Sequence, residues 1–212
     1  MNPITASFLL YFLYLLPFAA TAPAPLPPAP PNSHIEIQNV TYGGTGCPSN
    51  TVASSISDDR TTLTLAFNAY TVQSGPAVPA SERRKFCQLA LNLRYPGGLQ
   101  YSLLGADYRG YASLEAGVQG RAVGSYYFSG QARESFFAAN FSGPMDENYV
   151  LHDTVESLTR VWAPCGEQGL LNIKSEVRIA PMRTRTLNLL TVDSLDGKFT
   201  QKFAVQWRKC EG

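Results

Sequence analysis

The chain has 212 residues, enough for one domain with a sizeable core. Seventeen lysines and arginines against sixteen aspartates and glutamates leave a formal charge of +1, so the overall balance offers no electrostatic footprint for nucleic acid or an anionic membrane. Only 16% of residues are charged, while eleven tyrosines and eleven phenylalanines favour pleated surfaces over solvated helices.

Met1–Ala22 reads as an export leader. Its apolar run Phe8–Leu16 is too short to span a bilayer, and Ala20-Thr21-Ala22 has the small-x-small form of a cleavage site. Pro23 disfavours cleavage after Ala22, so Ala19 and Ala20 compete as the cut. No second apolar run follows, hence no membrane span is expected. Residues 23–33 form a proline-rich spacer, short of amide donors and extended. The remainder, 34–212, reads as one folded domain.

Ile35 and Ile37 alternate with polar residues in a first strand, and Tyr42–Pro48 follows as a glycine-rich turn. Thr61–Thr71 sets Leu63, Leu65, Phe67 and Ala69 on one face. Cys87–Tyr95 does the same with Leu89, Leu91 and Leu93. The segment Val72–Phe86 between them, with its basic run Arg83-Arg84-Lys85, reads as a loop with a solvated tip. Leu99–Gly130 then forms two long strands around a short turn. Within it the apolar parity shifts from Tyr101 and Leu103 to Tyr108, Ala112 and Leu114, which predicts a bulge near Gly105-Ala106. Ser135–Phe141 is a further strand and Pro144–Leu151 a loop or single helical turn. Leu158–Ala163, Leu171–Ile179 and Phe199–Trp207 complete about nine strands with no long amphipathic helix. Such a chain predicts an all-β fold, an antiparallel β-sandwich of jelly-roll-like form with two disulfides.

The cysteines are Cys47, Cys87, Cys165 and Cys210. An even count behind an export leader reads as two disulfides, with three pairings available. Each of Cys47–Cys87 and Cys165–Cys210 brackets neighbouring strands, which favours that pairing. Spacings of tens of residues argue against zinc, and no motif calls for a metal or cofactor.

The motifs Gly44-Thr45-Gly46-Cys47-Pro48, Asp107-Tyr108-Arg109-Gly110, Tyr126-Tyr127-Phe128-Ser129-Gly130, Pro164-Cys165-Gly166 and Trp207-Arg208-Lys209-Cys210 occur in that order. Together they resemble the secreted family known as domain of unknown function 4360, of filamentous fungi and some bacteria. The resemblance spans Ile35–Cys210. It implies an exported, disulfide-bonded, mostly β domain, and it implies no activity.

Catalysis finds little support in the residues. The histidines are His34 and His152, and neither lies in a recognisable triad or metal motif. No catalytic residue is assigned and an enzyme is not expected. Asn39-Val40-Thr41 and Asn140-Phe141-Ser142 match the N-glycosylation acceptor. Tyrosines on an outer sheet face can stack on sugars or anchor proteins, which makes Tyr108, Arg109, Tyr111 and Tyr127 the candidate binding residues. Tyr126 and Tyr127 are adjacent on a strand and must face opposite ways. The expected function is therefore a secreted interaction protein or effector, in the extracellular space or cell wall. Its expected partner is an extracellular protein or polysaccharide. A carbohydrate-binding module is the alternative, with a small wall hydrolase behind it.

Overall fold

Alternating apolar and polar residues leave each strand one dry face, and two such sheets bury those faces against each other. The computed structural model describes residues 34–154, 160–166, 168–181, 184–191 and 199–210. The expected leader and spacer lie outside them, as does the start of the expected strand Leu158–Ala163. One sheet has five antiparallel strands in the spatial order β1 (Glu36–Gly43), β5 (Arg84–Arg94), β10 (Gln168–Ala180), β7 (Gln119–Phe128) and β8 (Ser135–Ser142). The other has seven: β2 (Val52–Ile56), β3 (Thr62–Phe67), β12 (Phe199–Lys209), β6 (Leu99–Leu114), β11 (Asn188–Thr191) and β4 (Thr71–Ser74), with β9 (Met145–Thr154) also paired to β6. The result is an antiparallel β-sandwich with two disulfides, as the alternations require.

Strand β6 organises the second sheet. Its sixteen residues pair β12 from Leu99 to Tyr108, β11 from Tyr111 to Ser113, and β9 from Gly105 to Leu114. The register with β12 slips between Leu103 and Gly105, so a bulge sits one residue before the expected position. The slip turns Tyr108, Ala112 and Leu114 inward.

The core is aromatic at its centre. Tyr101 meets Phe128 edge-on at 5.1 Å and Tyr95 at 5.4 Å, and its ring lies 5.2 Å from Trp207. Around it Leu89, Leu91 and Ile173 of the five-stranded sheet face Leu65, Leu103 and Phe203 of the other, all buried. Burying each such side chain contributes roughly 1.5–3 kcal/mol. Hydrogen bonds cross between the layers: the Tyr126 hydroxyl donates to the Leu103 carbonyl at 2.7 Å, and Tyr70 shares one with Ser175 at 3.0 Å.

Cys47 is bonded to Cys87 and Cys165 to Cys210, the pairing favoured by the strand brackets. The first ties the turn after β1 to β5; the second ties the segment before β10 to the end of β12. Each closes a loop long enough to stabilise the fold by about 3–4 kcal/mol through the unfolded chain.

Several expectations need correction. Pro144–Leu151 is neither loop nor helix but most of β9. That strand buries only Tyr149 among its described side chains, so its alternation is too faint to read. Thr61–Thr71 is not one strand: the chain breaks after Phe67 and re-enters the sheet as β4. The basic run is not a loop tip. A short 3-10 helix, Ala80–Arg83, delivers Arg84 and Lys85 directly into β5, where they pair Arg178 and Val177 of β10. Among the described residues twelve strands replace about nine: β2, β4, β9 and β11 are additional, and the described part of the expected strand Leu158–Ala163 contributes only an isolated bridge between Trp162 and Ser102.

Candidate binding face

Period-two alternation fixes what the five-stranded sheet shows to solvent. On β5 the outward residues are Arg84, Phe86, Gln88, Ala90 and Asn92; on β10 they are Leu170, Asn172, Lys174, Glu176 and Arg178. On β7 they are Arg121, Val123, Ser125 and Tyr127, and on the edge strand β8 Phe136, Ala138 and Asn140. Phe136 is 70% exposed, Phe86 48% and Leu170 41%. Three of the five exposed large apolar side chains among the described residues therefore share this one face. A cavity of about 760 Å³ opens on it, lined by Phe86, Val123, Phe136 and Ala138 with Arg84, Arg121, Lys174 and Glu176, and also bounded by inward-facing Ser175 and Phe137 and by Asp153 of β9.

Cations are interleaved with these rings. The Lys174 ammonium lies 4.7 Å from the Tyr127 ring centroid, over its face. Arg84 donates to Glu176 at 2.6 Å, a hydrogen bond that raises the guanidinium above its ordinary pKa. Ser125 points outward yet is buried, being directly opposite Phe136 in the register.

The tyrosines expected to form a binding surface do not lie together. Tyr108 is in the core, its ring stacked on Phe137 at 4.3 Å, and burial pushes its phenol well above the ordinary range. It presents no face to a ligand. Arg109 and Tyr111 are on the outer side of the seven-stranded sheet, where the Tyr111 hydroxyl donates to Asp146. Tyr127 is on the opposite layer, half-buried under Lys174. Tyr126 turns inward as the strand alternation requires. One face of Trp162 is covered by the Arg208 guanidinium at 3.9 Å. Asn39 and Asn140 are both exposed, on β1 and β8, the two edge strands of the five-stranded sheet.

His152 pairs with Asp107 at 2.7 Å, not with the adjacent Asp153, and both partners are solvent-exposed on the outer side of the seven-stranded sheet. No hydroxyl or thiol is hydrogen-bonded to this imidazole among the described residues, and all four cysteines are in disulfides. No cluster of three or more histidines, cysteines and acids able to hold a metal is present among the described residues. Nor is any helix there long and apolar enough to cross a membrane.

The residues missed from the sequence are Phe86, Phe136, Arg84, Arg121, Arg178 and Lys174. Phe136 carried a legible signal: it is adjacent to Phe137, so one of the two rings had to point outward.

The family described as domain of unknown function DUF4360 matches residues 33–210. This chain belongs to that family. An uncharacterized secreted protein of Arthroderma benhamiae is 48% identical to this DUF4360 protein over 193 residues, covering 88% of this chain and 79% of the relative. Like that relative, the DUF4360 protein described here is secreted. Among solved structures, TmCBM61 in complex with β-1,4-galactotriose matches at 10% identity and a TM-score of 0.28, over 82% of this chain and 91% of its own. The enzymatically active domain of bacteriophage CBA120 tailspike protein 4 matches at 14% identity and a TM-score of 0.25, over 82% of this chain and 20% of its own. Likenesses of that size carry nothing about a site.

Proposed function

We propose that this DUF4360 protein is a non-catalytic secreted binding protein whose contact surface is the outer face of the five-stranded sheet. The observation that carries the reading is the gathering of Phe86, Phe136 and Leu170 on that face, interleaved with arginine and lysine. Exposed aromatic rings set among cations are frequent anchors of an interface. The absence of catalysis is part of the proposal. It is supported by the exposed Asp107–His152 pair, whose imidazole has no hydroxyl or thiol bonded to it among the described residues.

The test is a pull-down with the oxidised mature protein, offered soluble extracellular proteins and insoluble wall polysaccharides in parallel. Wild type is compared with Phe86→Ala/Phe136→Ala. Both rings are exposed, so the variant keeps its fold while its retention falls by tenfold or more. Retention unchanged in that variant, or no retention of anything by wild type, sinks the reading. Capture of a discrete host protein through the same rings would make the protein an effector; capture of a polysaccharide would make it a carbohydrate-binding module.

A further inference from the structure

Strand register sets an expected glycan site beside two arginines. Asn140 of β8 is directly opposite Arg121 of β7, and Arg121 is opposite Arg178 of β10. All three are exposed on the outer side of the five-stranded sheet. Directly opposed side chains have Cβ atoms about 4.5–5.5 Å apart. Arg84 of β5 ends the row, across from Arg178, and is bonded to Glu176. Among the described residues no acidic side chain pairs with Arg121 or Arg178. The next outward row, at the end of the sheet, is Ala180, Gln119 and Ser142. Between these two rows lies a recess of about 560 Å³, and Asn140 itself forms part of its wall. Sites that hold small molecules have volumes of about 300–1,000 Å³.

We infer that this recess seats the inner sugars of the chain's own glycan, carried on Asn140. Attachment selects the occupant: Asn140-Phe141-Ser142 is an acceptor sequence in a secreted protein, and the side chain that bears the sugar opens into the recess. In the transfer the Asn140 amide nitrogen loses a proton and bonds the anomeric carbon of the first sugar. The lipid pyrophosphate that carried the glycan leaves. That first sugar is an N-acetylglucosamine, whose acetamide carbonyl and hydroxyls accept hydrogen bonds. A guanidinium offers five N–H donors and no acceptor, so Arg121 and Arg178 match it in kind. Arg121 stands beside the attachment point and Arg178 one strand further along the same row, so both border the path of the inner sugars. Asn39, the acceptor on the opposite edge strand, is across from the neutral Asn92 and has no arginine there. The recess lies on the side of the arginine row away from Phe86, so a seated glycan leaves Phe86 and Phe136 open. The inference therefore stands apart from what the rest of that face binds.

The experiment exports the full chain from a eukaryotic secretory host and purifies it oxidised. An endoglycosidase that cuts between the inner N-acetylglucosamines is then added, and mass spectrometry of the Asn140 peptide times the release. Native Arg121→Gln/Arg178→Gln should lose its glycan at least tenfold faster than native wild type, and the two should be equal once reduced and denatured. Arg84→Gln, in the same row but already bonded to Glu176, should keep the wild-type rate. Arg121→Lys/Arg178→Lys, with the charge kept and fewer donors, should fall between wild type and the glutamine variant. That ordering also tells loss of the seat from loss of the fold. Equal native rates in wild type and the glutamine double variant overturn the inference. So does equal acceleration by Arg84→Gln, or a bare Asn140 in the exported protein. None of these outcomes alters retention through Phe86 and Phe136, so the binding-face reading stands or falls by its own test.

Discussion

The two outer faces of this sandwich have the same backbone and nearly opposite chemistry. On the seven-stranded sheet the carboxylates have partners: Asp107 is hydrogen-bonded to His152 and lies across from Lys202, and the Tyr111 hydroxyl donates to Asp146. Val150 is the exposed large apolar residue on its β9 strand. On the five-stranded sheet like charges meet in Arg84, Arg178 and Arg121, and rings stand free beside them. The first face is quenched by its own side chains. The second keeps opposed like charges and exposed apolar side chains on one surface.

The comparison is broken most violently from below. Phe128→Ala removes a fully buried ring that packs on Tyr101 under both faces, and should cost about 3–5 kcal/mol in chemical denaturation. Both faces are lost together. Phe136→Ala, by contrast, should change stability by less than about 0.5 kcal/mol and lower retention on the binding partner about tenfold. Tyr111→Phe on the quenched face should leave retention unchanged; if it lowers retention as much as Phe136→Ala does, the two faces are not distinct in function.

Alkali separates the core from the charged row. Burial raises the phenols of Tyr70, Tyr101, Tyr108 and Tyr149. In the unfolded chain a tyrosine ionises near pH 10, so these four favour the folded state fully below about pH 10 and lose that contribution as pH rises above it. Thermal midpoints should hold level to about pH 10 and then fall, with the arginines still charged. Midpoints that stay level well above pH 10 would mean these phenols are solvated. The smallest effect concerns the margins of the open face. We expect glycans at Asn39 and Asn140 on its two edge strands, so Asn39→Gln and Asn140→Gln should each remove one step of electrophoretic mobility from the exported protein, with little change in stability.

Much of the fold was legible in the sequence. Leu89, Leu91 and Leu93 announce β5, and Leu171 and Ile173 announce β10, because their partners are apolar on one side and wet on the other. The cysteine pairing was legible because each pair brackets strands that are neighbours. Tyr108 was misread as a binding residue although its parity with Ala112 and Leu114 had already turned it inward. The candidate site was scarcely legible. Arg84, Arg121 and Arg178 lie far apart in the chain, and their alignment is a property of pairing register, which local pattern does not encode. The same holds for Asp107 and His152, brought together by a strand whose polar sequence hides it.

The placement of the basic run has a consequence for survival outside the cell. A trypsin-like enzyme must draw an extended segment into its cleft, and Arg84 and Lys85 are already committed to backbone pairing with β10. Lys85 is also held by Glu82 at 2.9 Å. Cutting there requires peeling strands from the sheet, so attack is governed by local opening and not by the presence of a dibasic sequence. Should a nick occur at Arg83, the bond between Cys47 and Cys87 still joins the two pieces across it. The dibasic stretch is thus held within the sheet of the folded protein.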